Sequence, residues 1–492
     1  MSRVLFFALG CLFTAAFAPA GLWPLAPVLL LPFFYVCLTL PGRAAAVHGF
    51  CFGLGLFLCG TYWIYLSVTG PGQAAWWIGA FLVVALSLIM ACYLAATAWL
   101  INYLTRSQPL YLLLVAPAAW TLLEWLRGWL LSGFPWMSLG YSQIDTALAG
   151  WAPVLGVYGV SLLLVLSSSA ALLAILERGR QRWLALACVL LPWLAGAVLT
   201  QVEWTAASGP VIRTTVIQAG VPQELKWLPE QRELTKQFYS AATLAATGSR
   251  LVVWPEVAIP SVTDREEQYI AALRAIGRRN QQAIVFGILE REFLPDGGAN
   301  IYNSLLLLEG NGRQVYRKRH LVPFGEYFPV PPAVREWLRM MNLPFTDLLP
   351  GDDEQELLTL ADGNRLAVAI CYEDSFGAEL LYALPAATVL INVSNDAWFG
   401  DSIAPHQHLQ IARMRSLEIG RFTVRATNTG ISAFIDAAGH LLQTGAQFEA
   451  VQMTADIEPR SGMTPYARCG NWPVVGFCVL LLAGFWLRSR AS

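Results

Sequence analysis

The chain has 492 residues, 56% hydrophobic and 13% charged, where an ordinary soluble domain carries about 25% charged residues. That composition excludes both a simple soluble protein and intrinsic disorder. A net charge of −1 gives no whole-chain electrostatic case for nucleic-acid binding, and none is expected.

The charges are unevenly spread. Ten of the 65 Asp, Glu, Lys and Arg residues fall in 1–202, two (Arg488 and Arg490) follow position 470, and the other 53 lie in 203–470. Three parts follow: 1–203 as a transmembrane domain, 204–470 as a globular domain and 471–492 as a closing transmembrane helix.

A hydrocarbon core needs about 20 apolar residues per helix. Eight segments are predicted to span it: 4–20, 25–41, 45–68, 75–104, 109–131, 153–176, 183–202 and 472–487. Arg3, Ala16-Phe17-Ala18 and the apolar run between them also fit a cleaved signal peptide, the less favoured reading. Arg3, Arg43, Arg106, the trio Arg178, Arg180 and Arg182, and the pair Arg488 and Arg490 all fall on one side of the eight-span arrangement. By the positive-inside rule that side is cytoplasmic. Both termini are then cytoplasmic, and the globular domain faces the periplasm or the exterior.

Seven of the nine Cys lie within spans, leaving Cys371 and Cys469 in the globular block. Two such residues could pair in an oxidising compartment. Strand-like runs occur at 211–218, 250–254, 283–289, 301–309, 366–371, 388–394 and 421–427. Helical patterns occupy 229–246, 263–279 with Thr263 or Asp264 as N-cap, and 405–419. This alternation predicts a layered α/β domain.

Three segments carry the chemistry: Val253-Trp254-Pro255-Glu256, the run Tyr316-Arg317-Lys318-Arg319-His320-Leu321-Val322-Pro323-Phe324-Gly325-Glu326-Tyr327, and Ala367-Val368-Ala369-Ile370-Cys371-Tyr372-Glu373-Asp374. A Cys nucleophile needs a base for its proton and a cation for the thiolate and the later oxyanion. Glu256 can be the base and Lys318 the cation, an arrangement expected to favour the Cys371 thiolate and keep it free of Cys469. Lys318 is one of three Lys against 29 Arg and sits between two of them, which suggests that a compact ammonium is wanted there. Taken singly, the segments also read as a structural Cys, a turn carboxylate and a solvated basic face.

Together, Glu256, Lys318 and Cys371 in these contexts resemble the nitrilase (carbon–nitrogen hydrolase) superfamily over roughly 211–455. The flanking spans, HLVPFGEY at 320–327, Gly133-Phe134-Pro135-Trp136, and Gln218-Ala219-Gly220-Val221-Pro222-Gln223 with Lys226-Trp227 resemble the apolipoprotein N-acyltransferase family. The resemblance implies an αββα sandwich with Glu256 as general base, Lys318 as oxyanion stabiliser and Cys371 as nucleophile. Glu326, Trp227, Tyr372 and Glu373 would support the site or bind substrate, and Asn392, Ser394 and Asn395 would frame its loops. It further implies acyl transfer from a phospholipid, through a Cys thioester, to the N-terminal amine of a diacylglyceryl-modified apolipoprotein. The setting would be a bacterial inner membrane with the catalytic domain in the periplasm. No cofactor or metal is expected.

Two rivals stand beside this reading: a membrane-tethered amidase or nitrilase acting on a soluble substrate, and a transporter with a non-catalytic periplasmic domain. Positions 44–104 contain no Asp, Glu, Lys or Arg, which speaks against the transporter. His406 and His408, two apart on a helix, point to different faces and do not suggest zinc ligation. His440 reads as a surface residue. Glu124 and Arg127, within or at the end of the fifth span, read either as an intramembrane functional pair or, the favoured reading, as a helix-end pair of spacing three. Phe324, Phe328 and the stretch 337–349 are apolar for a soluble domain and read either as core or, the favoured reading, as a membrane-facing lid over a lipid site.

Overall fold

The computed structural model describes residues 2–295, 297–327 and 348–491. Each of the eight expected spans contains helix, but among the described residues six helices or helical runs are long and apolar enough to cross a bilayer: Gly42–Gly60, Trp76–Thr105, Pro109–Arg127, Ala147–Leu176, Gly179–Leu199 and Trp472–Arg490. Arg3–Ala16 and Leu25–Thr39 are apolar but shorter, and below the length a straight crossing needs. The expected span 45–68 is divided, Gly42–Gly60 giving way at Thr61 to a separate helix Trp63–Thr69. The break lets the Trp63 indole N–H donate to the Gly60 carbonyl at 3.1 Å and brings its ring against Trp136 and Phe399.

Among the described residues a two-stranded pair, Ala206–Ala207 with Arg460–Ser461, and two large sheets form the globular block. One is ordered Val451–Ile457, Ile212–Gln218, Leu251–Val253, Ala283–Phe293, Ala299–Glu309 and Gly312–Arg317, with Ile259–Val262 also on Ala283–Phe293. The other is ordered Leu441–Thr444, Ala433–Ile435, Thr423–Thr427, Val389–Ser394, Arg365–Ile370 and Leu358–Thr359. Strand side chains alternate between faces. Leu251, Val253 and Val285 accordingly meet Val368, Ile370 and Ile391 in a core between the sheets. Val252, Ile284 and Phe286 point the other way, onto Tyr239, Ile270 and Leu273 of the helices Pro229–Ala245 and Glu267–Asn280. The helix Ala404–Ile419 covers the second sheet. The result is the αββα layering that the resemblance implied.

Thr263 and Asp264 do not cap the following helix. Thr263–Arg265 form a 3-10 turn, and the helix Glu267–Asn280 starts after Glu266. The strands Gly312–Arg317, Ala433–Ile435, Leu441–Thr444 and Val451–Ile457 carry too short or too polar a pattern to stand out in the sequence.

The Ala404–Ile419 helix is buried on almost every side, because its outer face meets the membrane helices rather than water. The Ala152–Leu176 helix is broken at Gly156, whose φ is 69°. There the Val157 N–H donates to Glu418 Oε1 at 2.7 Å, and Glu418 pairs with Arg415 Nη1 at 3.0 Å. An orphan donor at a helix break is thus satisfied by a carboxylate from the globular block.

Candidate active site

Glu256 follows the strand Leu251–Val253 and is buried. Gly287 packs directly beneath it: a Cβ there would stand 2.3 Å from the Val257 nitrogen and 2.7 Å from the Glu256 Cα. Only glycine admits that approach. Glu256 Oε1 accepts from the Asn303 amide at 2.7 Å and faces Lys318 Nζ at 3.4 Å. Its other oxygen accepts from the Asn395 backbone N–H at 2.8 Å.

Lys318 leaves the strand Gly312–Arg317 with its backbone N–H donating to the Asn303 carbonyl at 2.8 Å. Its buried ammonium donates to Glu326 Oε1 at 2.9 Å. Burial opposes that charge, but the Glu326 and Glu256 carboxylates outweigh it and raise the Lys318 pKa above its ordinary value. Glu326 is itself fixed by the Asn303 amide at 3.0 Å and the Val322 N–H at 2.8 Å.

Cys371 is the first residue past the strand Arg365–Ile370 and has φ 53°. A left-handed, non-glycine residue at a strand end is a strained elbow. Cys371 and Cys469 are both free thiols. Burial and the Glu256 carboxylate push the Cys371 thiol pKa up, while Lys318 and the Ser394 hydroxyl pull it down; the net direction is upward. The resting state is therefore the thiol, not the thiolate anticipated from the sequence. Desolvation and the carboxylate outweigh the single ammonium, so this sulfur could act as a nucleophile only with a base to take its proton.

Glu373 is buried and bridges two strand ends. It accepts from the Ile370 N–H at 2.7 Å, the Arg319 N–H at 2.7 Å and the Tyr316 hydroxyl at 3.1 Å. It joins the Lys318 segment to the Cys371 segment. Tyr372 turns toward the membrane block, where its hydroxyl donates to the Gly133 carbonyl at 3.1 Å. Trp227 stands half-exposed after the Gln223–Lys226 turn and takes no part in these hydrogen bonds. Its neighbour Lys226 is buried instead, with Nζ 3.4 Å from the Glu256 carbonyl and its pKa brought down by burial, against the Glu256 charge, to about 8.

Asn395 does more than frame a loop, since its amide also donates to Gln223 at 2.8 Å. Asn392 donates to the Ala369 carbonyl at 3.2 Å, and Ser394 to Asp396 at 2.7 Å. Asn303 was missed in the sequence; an Asn inside an otherwise apolar strand is the signal that could have exposed it. His440 is at the surface beside Asp436. His406 is half-buried, whereas His408 is fully enclosed by charged partners.

Arg127 spends its hydrogen bonds on the adjoining loop, whereas Glu124 divides its own among that loop, its own helix and the Ala152–Leu176 helix. Glu124 accepts from the Leu139 N–H at 2.9 Å, Trp120 at 3.1 Å and Ser161 at 2.6 Å. Arg127 donates to the Phe134 carbonyl at 2.7 Å and the Trp136 carbonyl at 2.6 Å. The pair thereby shapes the Gly133–Trp136 loop that meets Tyr372. Phe324 is half-exposed, while Phe328 and 337–347 of the expected lid lie outside the described residues.

Comparison with known proteins assigns both blocks of the chain to described families. Residues 9–170 match the family described as apolipoprotein N-acyltransferase N-terminal domain, and residues 213–466 match carbon-nitrogen hydrolase. An apolipoprotein N-acyltransferase from Methylococcus capsulatus is 41% identical over 486 residues, covering 98% of this chain and 95% of the relative. One from Azotobacter vinelandii is 41% identical over 497 residues, covering 100% and 96%. Among solved structures, an amidase of the nitrilase superfamily from Nesterenkonia matches at 17% identity and TM-score 0.39, over 53% of this chain and 94% of that one. With a relative of this identity aligned over nearly the whole of both chains, and both blocks matched in order, the chain belongs to the apolipoprotein N-acyltransferase family.

Proposed function

We propose that this chain acylates lipoproteins in two steps through a thioester on Cys371. Family membership makes it a membrane acyltransferase with, in general terms, a phospholipid donor and a lipoprotein acceptor. The finer reading is that the thiol attacks an ester carbonyl of the phospholipid while Glu256 takes its proton. Lys318 stabilises the oxyanion. The carbon–oxygen bond breaks, lysophospholipid leaves with the proton returned by Glu256, and the acyl chain remains on sulfur. The free α-amine of a diacylglyceryl-cysteine then attacks the thioester. Glu256 takes the amine proton, and the thiol re-forms as the amide is made.

One observation carries the reading: strand ends from both sheets bring Glu256, Lys318 and Cys371 into one electrostatic cluster, held by Glu326 and Asn303. Placement at 204–470 between apolar blocks 1–203 and 471–492 suits two membrane-anchored substrates, and the Arg-bearing loops support a periplasmic position for that part with both termini cytoplasmic. The test is mass spectrometry of the full-length protein after incubation with phospholipid. An acyl adduct on Cys371 is expected. Its absence, with hydrolysis of small amides instead, would favour a tethered amidase. An alkaline phosphatase fusion at residue 300 should be active, and fusions at 43 and 106 inactive; the reverse would overturn the orientation.

A further inference from the structure

Directly behind Cys371 lies a cluster of four charged side chains that the acyl-transfer steps do not use. Asp374, Asp396, His408 and Arg425 are each no more than 1% exposed. His408 Nδ1 is 2.9 Å from Asp396 Oδ1, and Nε2 is 2.9 Å from Asp374 Oδ1. Arg425 completes the ring, reaching Asp396 Oδ2 at 2.9 Å and Asp374 Oδ2 at 3.4 Å. It also donates to Asn392. An imidazole with a carboxylate at each nitrogen carries both protons. Two cations then balance two anions in a dry pocket, where an unbalanced charge would be costly.

Two contacts take this cluster beyond packing. The same His408 Nε2 lies 3.3 Å from the Cys371 carbonyl oxygen. The peptide between Cys371 and Tyr372 is planar, so holding its carbonyl inward sets the orientation of the strained elbow and turns the Tyr372 N–H away from the cluster. On its other side the His408 ring meets Trp136 of the membrane loop, with centroids 5.5 Å apart, while the Trp136 indole donates to neighbouring Gln407 at 2.7 Å.

We propose that His408, as an imidazolium clamped between Asp374 and Asp396, is a positioning residue that holds the Cys371 elbow in its reactive geometry and ties it to the Trp136 loop. The inference rests on Cys371 being the nucleophile. It has an electrostatic side as well, because Asp396 opposes formation of the Cys371 anion. With the His408 charge removed, that opposition is less compensated. The groups facing His408 are Asp374 and Cys371 from the elbow, Asp396 from the loop after Val389–Ser394, Arg425 from Thr423–Thr427 and the uncharged Trp136. Burial and Arg425 oppose its proton, but the two carboxylates raise its pKa to about 9.

The test measures single-turnover transfer of a labelled acyl chain from phospholipid, in mixed micelles, to Cys371 of the full-length protein between pH 6 and 10. The wild-type rate should fall as pH rises through about 9. His408→Gln should lose about tenfold to a hundredfold in rate, with the phospholipid concentration for half-maximal rate within about twofold, and its alkaline fall should disappear. A His408→Gln rate within twofold of wild type, or an unchanged alkaline fall, would overturn the inference. If His408→Gln does not accumulate as folded protein, Asp396→Asn decides: with one carboxylate fewer the fall must move to lower pH, and an unmoved fall overturns the proposal. No adduct on Cys371 of the wild type would overturn the nucleophile assignment itself, and this inference with it.

Discussion

The hydroxyl of Tyr372 donates to the backbone carbonyl of Gly133 at 3.1 Å, joining the residue after Cys371 to a membrane loop 239 positions earlier in the chain. That loop is shaped from below by Glu124 and Arg127 and touches His408 through Trp136. The elbow is therefore held from both blocks. Tyr372→Phe removes the donor and leaves a buried carbonyl unsatisfied, which costs about 1–3 kcal/mol. Slower acyl-enzyme formation and a lower denaturation midpoint in detergent are expected together. Wild-type values for both would show that the contact carries nothing.

The roles within the proposed triad separate by half-reaction. Cys371→Ala should form no adduct. Glu256→Gln should slow both acyl-enzyme formation and transfer to the amine by about 10² or more. Lys318→Arg should be similarly poor despite its charge, because the ammonium site is closed by Glu256 at 3.4 Å and Glu326 at 2.9 Å and leaves no room for a planar guanidinium. Labelled phospholipid, followed separately onto enzyme and lipoprotein, reads each step. Near-wild-type transfer by either charged-residue variant would refute the mechanism.

The Asn303 amide donates to both Glu256 and Glu326. Asn303→Leu should keep the shape but free two carboxylates, with a rate loss of about tenfold or more. Asn303→Asp should be worse, since it adds a third negative charge where two already share one ammonium. The adduct-formation rates of the two variants check the order, and equal rates would mean that charge at this position does not matter.

Lys226 yields a pH-dependent stability prediction. Its folded pKa is about 8, against an ordinary 10.5. Between these values the unfolded chain holds the proton and the folded one does not, so this residue's contribution to stability rises with pH across that window. Below it, the fold must bury a charged ammonium. Lys226→Met should therefore raise the denaturation midpoint at pH 7, and the advantage should shrink between pH 8 and 10.5. A gap that is constant with pH would show that burial does not lower the Lys226 pKa below its ordinary value.

Much of this architecture was legible from local chemistry. Twenty-residue apolar runs have few physical outcomes, and strands buried on both faces announce themselves, which is why Arg365–Ile370 and its terminal Cys371 could be located. Glu256, Lys318 and Cys371 could be singled out as candidates because each follows an apolar strand or sits in a distinctive run. What the one-dimensional pattern could not reach depends on distance across the chain. Asn303 looks like a polar flaw in a strand until the next strand ends at Lys318. Asp374, Asp396, His408 and Arg425 are ordinary polar letters in four separate elements, and only the packing of the second sheet under the Ala404–Ile419 helix encloses them. The sense of the Cys371 pKa shift was likewise undecided by neighbours in sequence, because burial and the carboxylate of Glu256, 115 positions away, outweigh the one ammonium. Local sequence determined which groups stand at strand ends; the tertiary fold decided which of them share a low-dielectric space, and so what each one does.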